Sequence, residues 1–352
     1  MHAVSSSIRS AVLGASGVVG QRFCELLSGH PFFSPPDLYS SEKSGGRKLR
    51  DVLTIPEPRI SDELLECRIE AIDLPSIKRE KYDIIFSALP TKVAGDLELE
   101  LAEAGGRVFT NASPNRMRSD VPLVVPEVNH EHLSMVIGGG GFIVANGNCS
   151  AIGLAMGLKP LQPFGIRSVE VTTLQALSGA GYPGVPSLDA LSNVIPYIDA
   201  EEEKLTEEIP KMFGSIDGRT IRNASMDVNA TCTRVAVRDG HTESVTVILE
   251  NSVDEDAVAA AFTNFRSLPQ EFSLPTAPAV PVILRRENNR PQPLLDVNAG
   301  EPSRARGMAA TVGRLRVKGN AVRFVILTHN TIRGAAGGSV LNAEIVHKLG
   351  GV

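Results

Sequence analysis

The sequence predicts an α/β chain in two parts, a doubly wound parallel sheet followed by an α+β unit whose sheet is mostly antiparallel. Three observations predict it. Short, wholly apolar strand segments alternate with helix-spaced segments up to about residue 148. A glycine-rich turn, Gly14, Gly17 and Gly20, joins the first strand directly to the first helix. From residue 149 the texture changes to long strand-rich stretches with one polar helical stretch between them.

The elements follow in chain order. "AVLGASGVVGQRFCELLSG" reads as strand, glycine turn and helix, closing at Ser28-Gly29. "PPDLYSS" holds a second strand, and "YDIIFSALP" is a buried strand of parallel-sheet character. "LELELAEAGG" is a helix with Gly105 past its end, and "RVFTNASP" is the next strand. After four consecutive glycines, "GFIVANGN" closes this first unit, residues 1–148. In the second unit, residues 149–329, three stretches read as strands: "RSVEVTTLQALSG", "ATCTRVAVRDGHTESVTVILE" and "GMAATVGRLRVKGNAVRFVILTH". Asp239-Gly240 is expected to make a tight hairpin turn there. "VPSLDALSNVIPYIDAEEEKLTEEIPKMFG" is expected to be helical with a break at Pro196. A last helix, within about 330–352, is expected to pack back on the first unit.

Composition narrows the function classes. A formal charge of −5 offers no basic surface for a phosphate backbone, so nucleic acid is not an expected partner. No apolar run approaches the roughly 18 to 20 residues that span a bilayer, so no membrane partner is expected. The N-terminal stretch lacks the pattern of a secretory signal, and a cytoplasmic location is expected. The four cysteines, Cys24, Cys67, Cys149 and Cys232, form no CxxC pair and no zinc spacing. Free thiols and no metal are expected.

The turn Gly14-x-x-Gly17-x-x-Gly20 lets backbone amides approach a pyrophosphate at the positive end of a helix. With Ser16, Val18 and Val19 it forms a candidate dinucleotide cradle of Rossmann type. Beyond the second strand, "YSSEKSGGRKL" sets hydroxyls at Ser40, Ser41 and Ser44 among Lys43, Arg47 and Lys48. Hydroxyls and cations suit a 2′-phosphate better than a bare ribose hydroxyl, which favours NADP over NAD.

Cys149 follows Asn-Gly-Asn at a helix mouth, where amides and the helix dipole would favour a thiolate nucleophile. Asn148 and the local amides are expected to meet an oxyanion. Cys24 lies mid-helix on an apolar face and is expected to be inert. Of seven histidines, His241 is the best-placed base, just past a turn and between two strands. His329 is its rival, while His30, His130, His132 and His347 lie in polar loop or helix-end contexts. Arg234 precedes His241 on the strand, and Arg116 follows a strand end where ligands collect in such sheets.

Taken together, "GASGVVGQRF", "SALP", "NASPNRM", "DVPLVVPEVN", "NGNCSA", "QALSGAGYPGVPS", "EEEK", "RVAVRDGHTES" and "HNTIRGAAGGSVLNAE" resemble the aspartate-β-semialdehyde dehydrogenase family in its archaeal and fungal-like branch. The likeness covers nearly the whole chain. It implies a Rossmann-type domain with a catalytic and dimerisation domain, and an NADPH-dependent reduction of L-4-aspartyl phosphate to the semialdehyde through a thioester. It implies Cys149 as nucleophile, His241 as acid/base and Gln175 as the group orienting the thioester. Arg234 would hold the substrate carboxylate, Glu201 its ammonium group, and Arg116 with Lys204 the phosphate. Which of Glu201, Glu202 and Glu203 meets the amine rests on the offset from Lys204. Gly14, Ser16 to Gly20, Ser41, Lys43 and Ser44 would carry NADP, with Ser178, Gly179 and Asn330 nearer the nicotinamide. A homodimer or homotetramer is implied.

Two other functions compete. A malonyl-CoA reductase resembles the same branch, but its substrate has neither amine nor acyl phosphate, which leaves "EEEK" and "HTES" without a purpose. A non-catalytic nucleotide-binding protein would be expected to have lost Cys149, Gln175, Arg234 or His241, and all four are present.

Overall fold

The computed structural model describes residues 7–77 and 82–352. Six parallel strands build the first sheet: β1 (Ser10–Leu13), β2 (Asp37–Ser40), β3 (Glu70–Ala71), β4 (Ile84–Ser87), β5 (Arg107–Thr110) and β6 (Phe142–Ala145). Their order, β3-β2-β1-β4-β5-β6, reverses direction at β1, as in a doubly wound sheet. Strands β1, β4 and β6 are buried at every residue, which is why they read as continuous apolar runs rather than alternating ones. β3 is two exposed residues, too short and polar to signal itself in the sequence.

The second sheet contains β7 (Ile166–Gln175), β8 (Val194–Ile195), β11 (Asp227–Val235), β12 (His241–Leu249), β13 (Val282–Leu284), β14 (Ala310–Lys318) and β15 (Ala321–Thr328); β9 (Ser215–Asp217) and β10 (Thr220–Arg222) form a separate hairpin. Its order is β13-β14-β15-β12-β7-β11-β8. The β7–β11 and β13–β14 pairs are parallel and the other pairs antiparallel.

Two expectations change here. Asp239-Gly240 is not a hairpin turn, because β11 and β12 are not neighbours: β7 lies between them, and the chain crosses over it. The stretch expected to be helical around Pro196 is a single turn at Ser187–Ala190, the strand β8, and a helix only from Glu201 to Met212.

The Cys149–Leu158 helix is the hinge of the architecture. It follows β6 and is buried from Ser150 to Leu158. Gly153 and Gly157 bring it hard against the second sheet: an added Cβ would lie 2.7 Å from Thr328 Oγ1 or 2.9 Å from the Phe324 ring. Its N-terminus therefore opens where the two sheets meet. The chain then returns through an irregular buried segment, Ile332–Ala336, and the Gly337–Lys348 helix, which packs on β4, β5 and the Val18–Leu27 helix.

Candidate active site

Asn148 starts the Cys149 helix and is fully engaged. Its Oδ1 accepts from the Ser150 and Ala151 amides at 2.9 and 3.2 Å, and its Nδ2 donates to both Glu201 oxygens at 3.0 Å. Its own N–H donates to Glu208 Oε2 at 2.6 Å. These bonds consume the amides expected to form an oxyanion cradle. The Cys149 N–H, by contrast, has no acceptor among the described residues. Gly334 lies on the nucleophile's other side, where a Cβ would come within 2.8 Å of Cys149 Cβ.

The half-buried Cys149 sulfur stands 3.1 Å from His241 Nε2. His241 opens β12 after Gly240, whose φ of +99° an L side chain rarely adopts. The ring is fully buried, and its Nδ1 accepts the Ala176 N–H at 3.0 Å. Burial, with Arg234 nearby, pushes its pKa down to about 3.

Burial likewise pushes the Cys149 thiol up to about 12, with Glu201 adding to the rise; Arg116, Arg234 and the Ser150 amide oppose it. Desolvation thus opposes the expected lowering of the thiol at the helix start.

Gln175 ends β7 beside Arg234 on β11 in the parallel ladder. Its Nε2 reaches Thr173 Oγ1 at 3.3 Å and Glu201 Oε2 at 3.2 Å. Arg234 donates to the Ala176 carbonyl at 2.8 Å and lies beside Gly179, where a Cβ would meet its Nη1 at 2.8 Å and His241 Cε1 at 3.1 Å.

Of the three acidic candidates, Glu201 is the one turned into this cluster. Burial works against its charge, yet Lys204 at 2.8 Å, Asn148 and Gln175 hold its carboxyl below the usual range. Glu202 instead accepts the Cys232 amide, and Glu203 is exposed. Arg116 is buried, bonded to Glu208 at 3.0 Å and to the Asn111 carbonyl at 2.7 Å.

The glycine turn fits an anionic dinucleotide. Gly14 has φ +85°, and a Cβ there would meet the Ala88 carbonyl at 2.5 Å; one at Gly20 would meet Gly14 O at 2.1 Å. Gly17 heads the Val18–Leu27 helix without a side-chain cap, so no side chain competes for the first-turn amides, which include Val18 and Val19. Ser16 and Ser40 share a 2.6 Å hydroxyl contact at the ends of β1 and β2. Of the three cations after β2, Lys48 pairs with Glu66 and Arg47 bonds the Asp51 carbonyl. Lys43 makes no such bond among the described residues and stands exposed beside Ser41 and Ser44. Asn330 bridges the Gly240 N–H at 2.9 Å and Ser178 Oγ at 2.8 Å.

The remaining histidines and thiols lie elsewhere. His329 is buried on a cavity of about 560 Å³ whose lining includes neither Cys149 nor His241. His30 and His132 are buried rather than in polar loops; His30 bonds Glu344 at 2.9 Å and His132 bonds Asn129 at 3.0 Å. Cys24 is buried, its thiol pushed up to about 12 by desolvation. Among the described residues no acidic, histidine or thiol cluster could hold a metal, and no helix is long and apolar enough to cross a membrane. Sequence reasoning missed Glu208, Gly334 and Glu243. Glu208 offered one signal, its seven-residue spacing from Glu201 on one helix face.

Fold and site together define a cysteine-dependent dehydrogenase built on a dinucleotide-binding sheet. Residues 9–136 match the family profile "Semialdehyde dehydrogenase, NAD binding domain", and residues 158–333 match "Semialdehyde dehydrogenase, dimerisation domain". The aspartate-semialdehyde dehydrogenase of Archaeoglobus fulgidus is 46% identical over 96% of this chain and 97% of its own. A malonyl CoA reductase (NADP) of Metallosphaera sedula is 35% identical over 98% of each. The crystal structure of the Candida albicans aspartate semialdehyde dehydrogenase with NADP superposes with a TM-score of 0.86 at 36% identity, covering 97% of this chain and 98% of that one. This chain belongs to the aspartate-semialdehyde dehydrogenase family.

Proposed function

We propose that this protein reduces L-4-aspartyl phosphate to L-aspartate 4-semialdehyde with NADPH, releasing phosphate, through an acyl-thioester on Cys149. The reaction serves synthesis of the aspartate-derived amino acids. The single observation that carries the reading is the 3.1 Å contact between the Cys149 sulfur and His241 Nε2 at the mouth of a helix between the two sheets.

Gly14, Ser16, Gly17 and Gly20 with Val18 and Val19 would hold the cofactor's pyrophosphate, and Ser41, Lys43 and Ser44 its 2′-phosphate. Ser178, Gly179 and Asn330 would border its nicotinamide. The bound cofactor supplies the hydride that reduces the thioester.

This chain's residues do the rest. Cys149 attacks the acyl carbon, and Gln175, anchored by Thr173 and Glu201, orients the resulting thioester. Arg234 takes the substrate's α-carboxylate in a two-pronged grip. Glu201 takes the ammonium group in place of Lys204, whose side chain is 32% exposed and free to turn toward a phosphate. Arg116, held by Glu208, adds the second positive charge for the departing phosphate.

We read residues 1–148 with the C-terminal helix as the cofactor-binding domain and 149–329 as the catalytic and dimerisation domain. The protein is a homo-oligomer in this reading, and we favour a dimer or tetramer in the cytoplasm. Tyr182, Leu188, Leu191, Val194 and Tyr197, all more than half exposed along one stretch, support an interface there.

The test is NADP reduction with L-aspartate 4-semialdehyde in the presence and absence of phosphate, alongside NADPH oxidation with malonyl-CoA. Phosphate-dependent turnover supports the proposal. Turnover of the CoA ester alone assigns the chain to the other activity, and no turnover of either leaves a nucleotide-binding protein.

A further inference from the structure

We propose that Lys211 is a positioning residue of the phosphate site: its ammonium gathers three carbonyl oxygens of the loop 116–121 and so fixes the backbone from which Arg116 reaches the phosphate. The inference rests on the reaction assigned above and deepens its account of how phosphate is held.

Lys211 is 3% exposed, and its Nζ donates to the Arg116 and Arg118 carbonyls at 2.6 Å and to the Val121 carbonyl at 2.9 Å. An ammonium has three N–H donors, so all are taken, and all by one loop. That loop is a series of turns with no strand or helix of its own. Among the described residues no backbone N–H serves the Arg116 or the Val121 carbonyl. Without the lysine both would lose their donor, and the turns would lose what holds them together.

The charge is kept at a cost. Burial pushes the Lys211 pKa down to about 8, against the pull of Asp120 and Glu208, which leaves the group charged at neutral pH. A methionine of similar length would fill such a position without burying a charge. What the ammonium adds is three directed hydrogen bonds that converge on one point.

The helix makes the arrangement specific to Arg116. Glu208 and Lys211 lie three residues apart on the Glu201–Met212 helix, and hence on one face. Glu208 holds the Arg116 guanidinium at 3.0 Å, while Lys211 holds the carbonyl of the same residue. One helix thus grips this arginine at tip and root. On the other side, Glu98 accepts from Thr110 Oγ1 at 2.6 Å and from Asn115 Nδ2 at 3.0 Å, which pins the chain just before Arg116. A cation fixed in this way loses little freedom when phosphate arrives.

The test separates two stages of aldehyde oxidation. First the Cys149 thiol adds to the aldehyde carbon, a hydride passes to NADP, a proton is released, and the thioester remains. Phosphate then attacks the carbonyl carbon, and the C–S bond breaks with its electron pair going to sulfur. Only the second stage uses the phosphate site, so without phosphate the first gives a single turnover of NADPH. In Lys211→Met that single turnover is expected to keep its rate within about twofold, while kcat/KM for phosphate falls by roughly 10- to 100-fold, the scale of a group misplaced by up to about 1 Å. In an Arg116→Ala background the same substitution should change kcat/KM for phosphate by less than about threefold, since a residue acting through Arg116 then has nothing to position. Equal factors in the two backgrounds, a single turnover slowed as much as the phosphate step, or an unchanged phosphate dependence would each overturn the proposal. Lys211→Gln, which keeps two N–H donors and drops the charge, takes the place of methionine if that variant does not fold. Should neither fold, the ammonium serves the fold at large and the proposal fails. Failure of the assigned reaction would show instead in wild type, as turnover indifferent to phosphate.

Discussion

Asn148 donates its backbone N–H to Glu208 at 2.6 Å across 60 residues of sequence, joining the nucleophile's turn to the Glu201–Met212 helix. Glu208's other oxygen accepts from Arg116 at 3.0 Å. One carboxylate therefore fixes both the helix mouth and Arg116, the cation we propose for the phosphate. Glu208→Ala would leave the Arg116 guanidinium buried without its charge partner, and breaking such pairs costs about 3–5 kcal/mol. Urea denaturation should show a loss of that order. In protein folded at low temperature, KM for phosphate in the reverse reaction should rise more than KM for the aldehyde. Equal shifts in both would mean that Glu208 supports the fold alone.

Cys149→Ala is expected to abolish turnover while leaving NADP affinity within about twofold. The sulfur stands at the first turn of its own helix, apart from the glycine turn that heads Val18–Leu27. Titration calorimetry with NADP on wild type and variant checks this. Parallel loss of cofactor binding would show that the residue also shapes the dinucleotide site.

The sequence made this site partly legible, for physical reasons that differ by residue. Cys149 and His241 stood out because a thiol after Asn-Gly-Asn and an imidazole after Asp-Gly occupy positions where backbone geometry is special. The parallel strands were readable because full burial leaves no polar face. Of the expected oxyanion donors, Asn148 and the Ser150 and Ala151 amides are engaged elsewhere, since Asn148 turns its side chain back to cap its own helix, a choice made by the end of one helix and the carboxylates of another. The Asp239-Gly240 turn looked like a hairpin because local sequence cannot register that β7 inserts between the flanking strands. Thiol acidity depends on two features of unequal legibility: the helix start is visible in the sequence, whereas the burial that opposes it is a property of the packed chain.

Gly334 has a close neighbour that explains it. A methyl group there would sit 2.8 Å from Cys149 Cβ and 3.0 Å from its Cα, and backbone atoms cannot swing aside as a long side chain can. Gly334→Ala should therefore displace the nucleophile or the irregular Ile332–Ala336 segment. Overpacking of this kind costs about 1–3 kcal/mol, and a displacement near 1 Å costs on the order of 10²-fold in rate. The expected result is a fall in kcat far larger than the modest drop in Tm. Wild-type kcat with a lowered Tm would place the strain in the C-terminal segment alone.

Glu243 gives the clearest pH dependence of stability. It is fully buried, neither oxygen has a partner among the described residues, and desolvation raises its pKa well above 4.5. The folded chain thus keeps this proton where the unfolded chain has lost it. A raised folded-state pKa contributes stability that is complete below the unfolded value and is lost as pH climbs toward the folded one. Over that window the loss runs at up to about 1.4 kcal/mol per pH unit. Glu243→Gln removes the titration while keeping the shape and a neutral polar head. It should match wild type in urea near pH 4.5 and exceed it increasingly toward pH 8. His241 contributes in the opposite sense, since its pKa is lowered to about 3: its share is present above the unfolded value near 6.5 and fades as pH falls below it. The two variants therefore separate cleanly, with Glu243→Gln altering the slope above pH 4.5 upward and His241→Gln altering it below pH 6.5. A stability difference for Glu243→Gln that does not change with pH would show that the carboxyl is ionised in the folded chain.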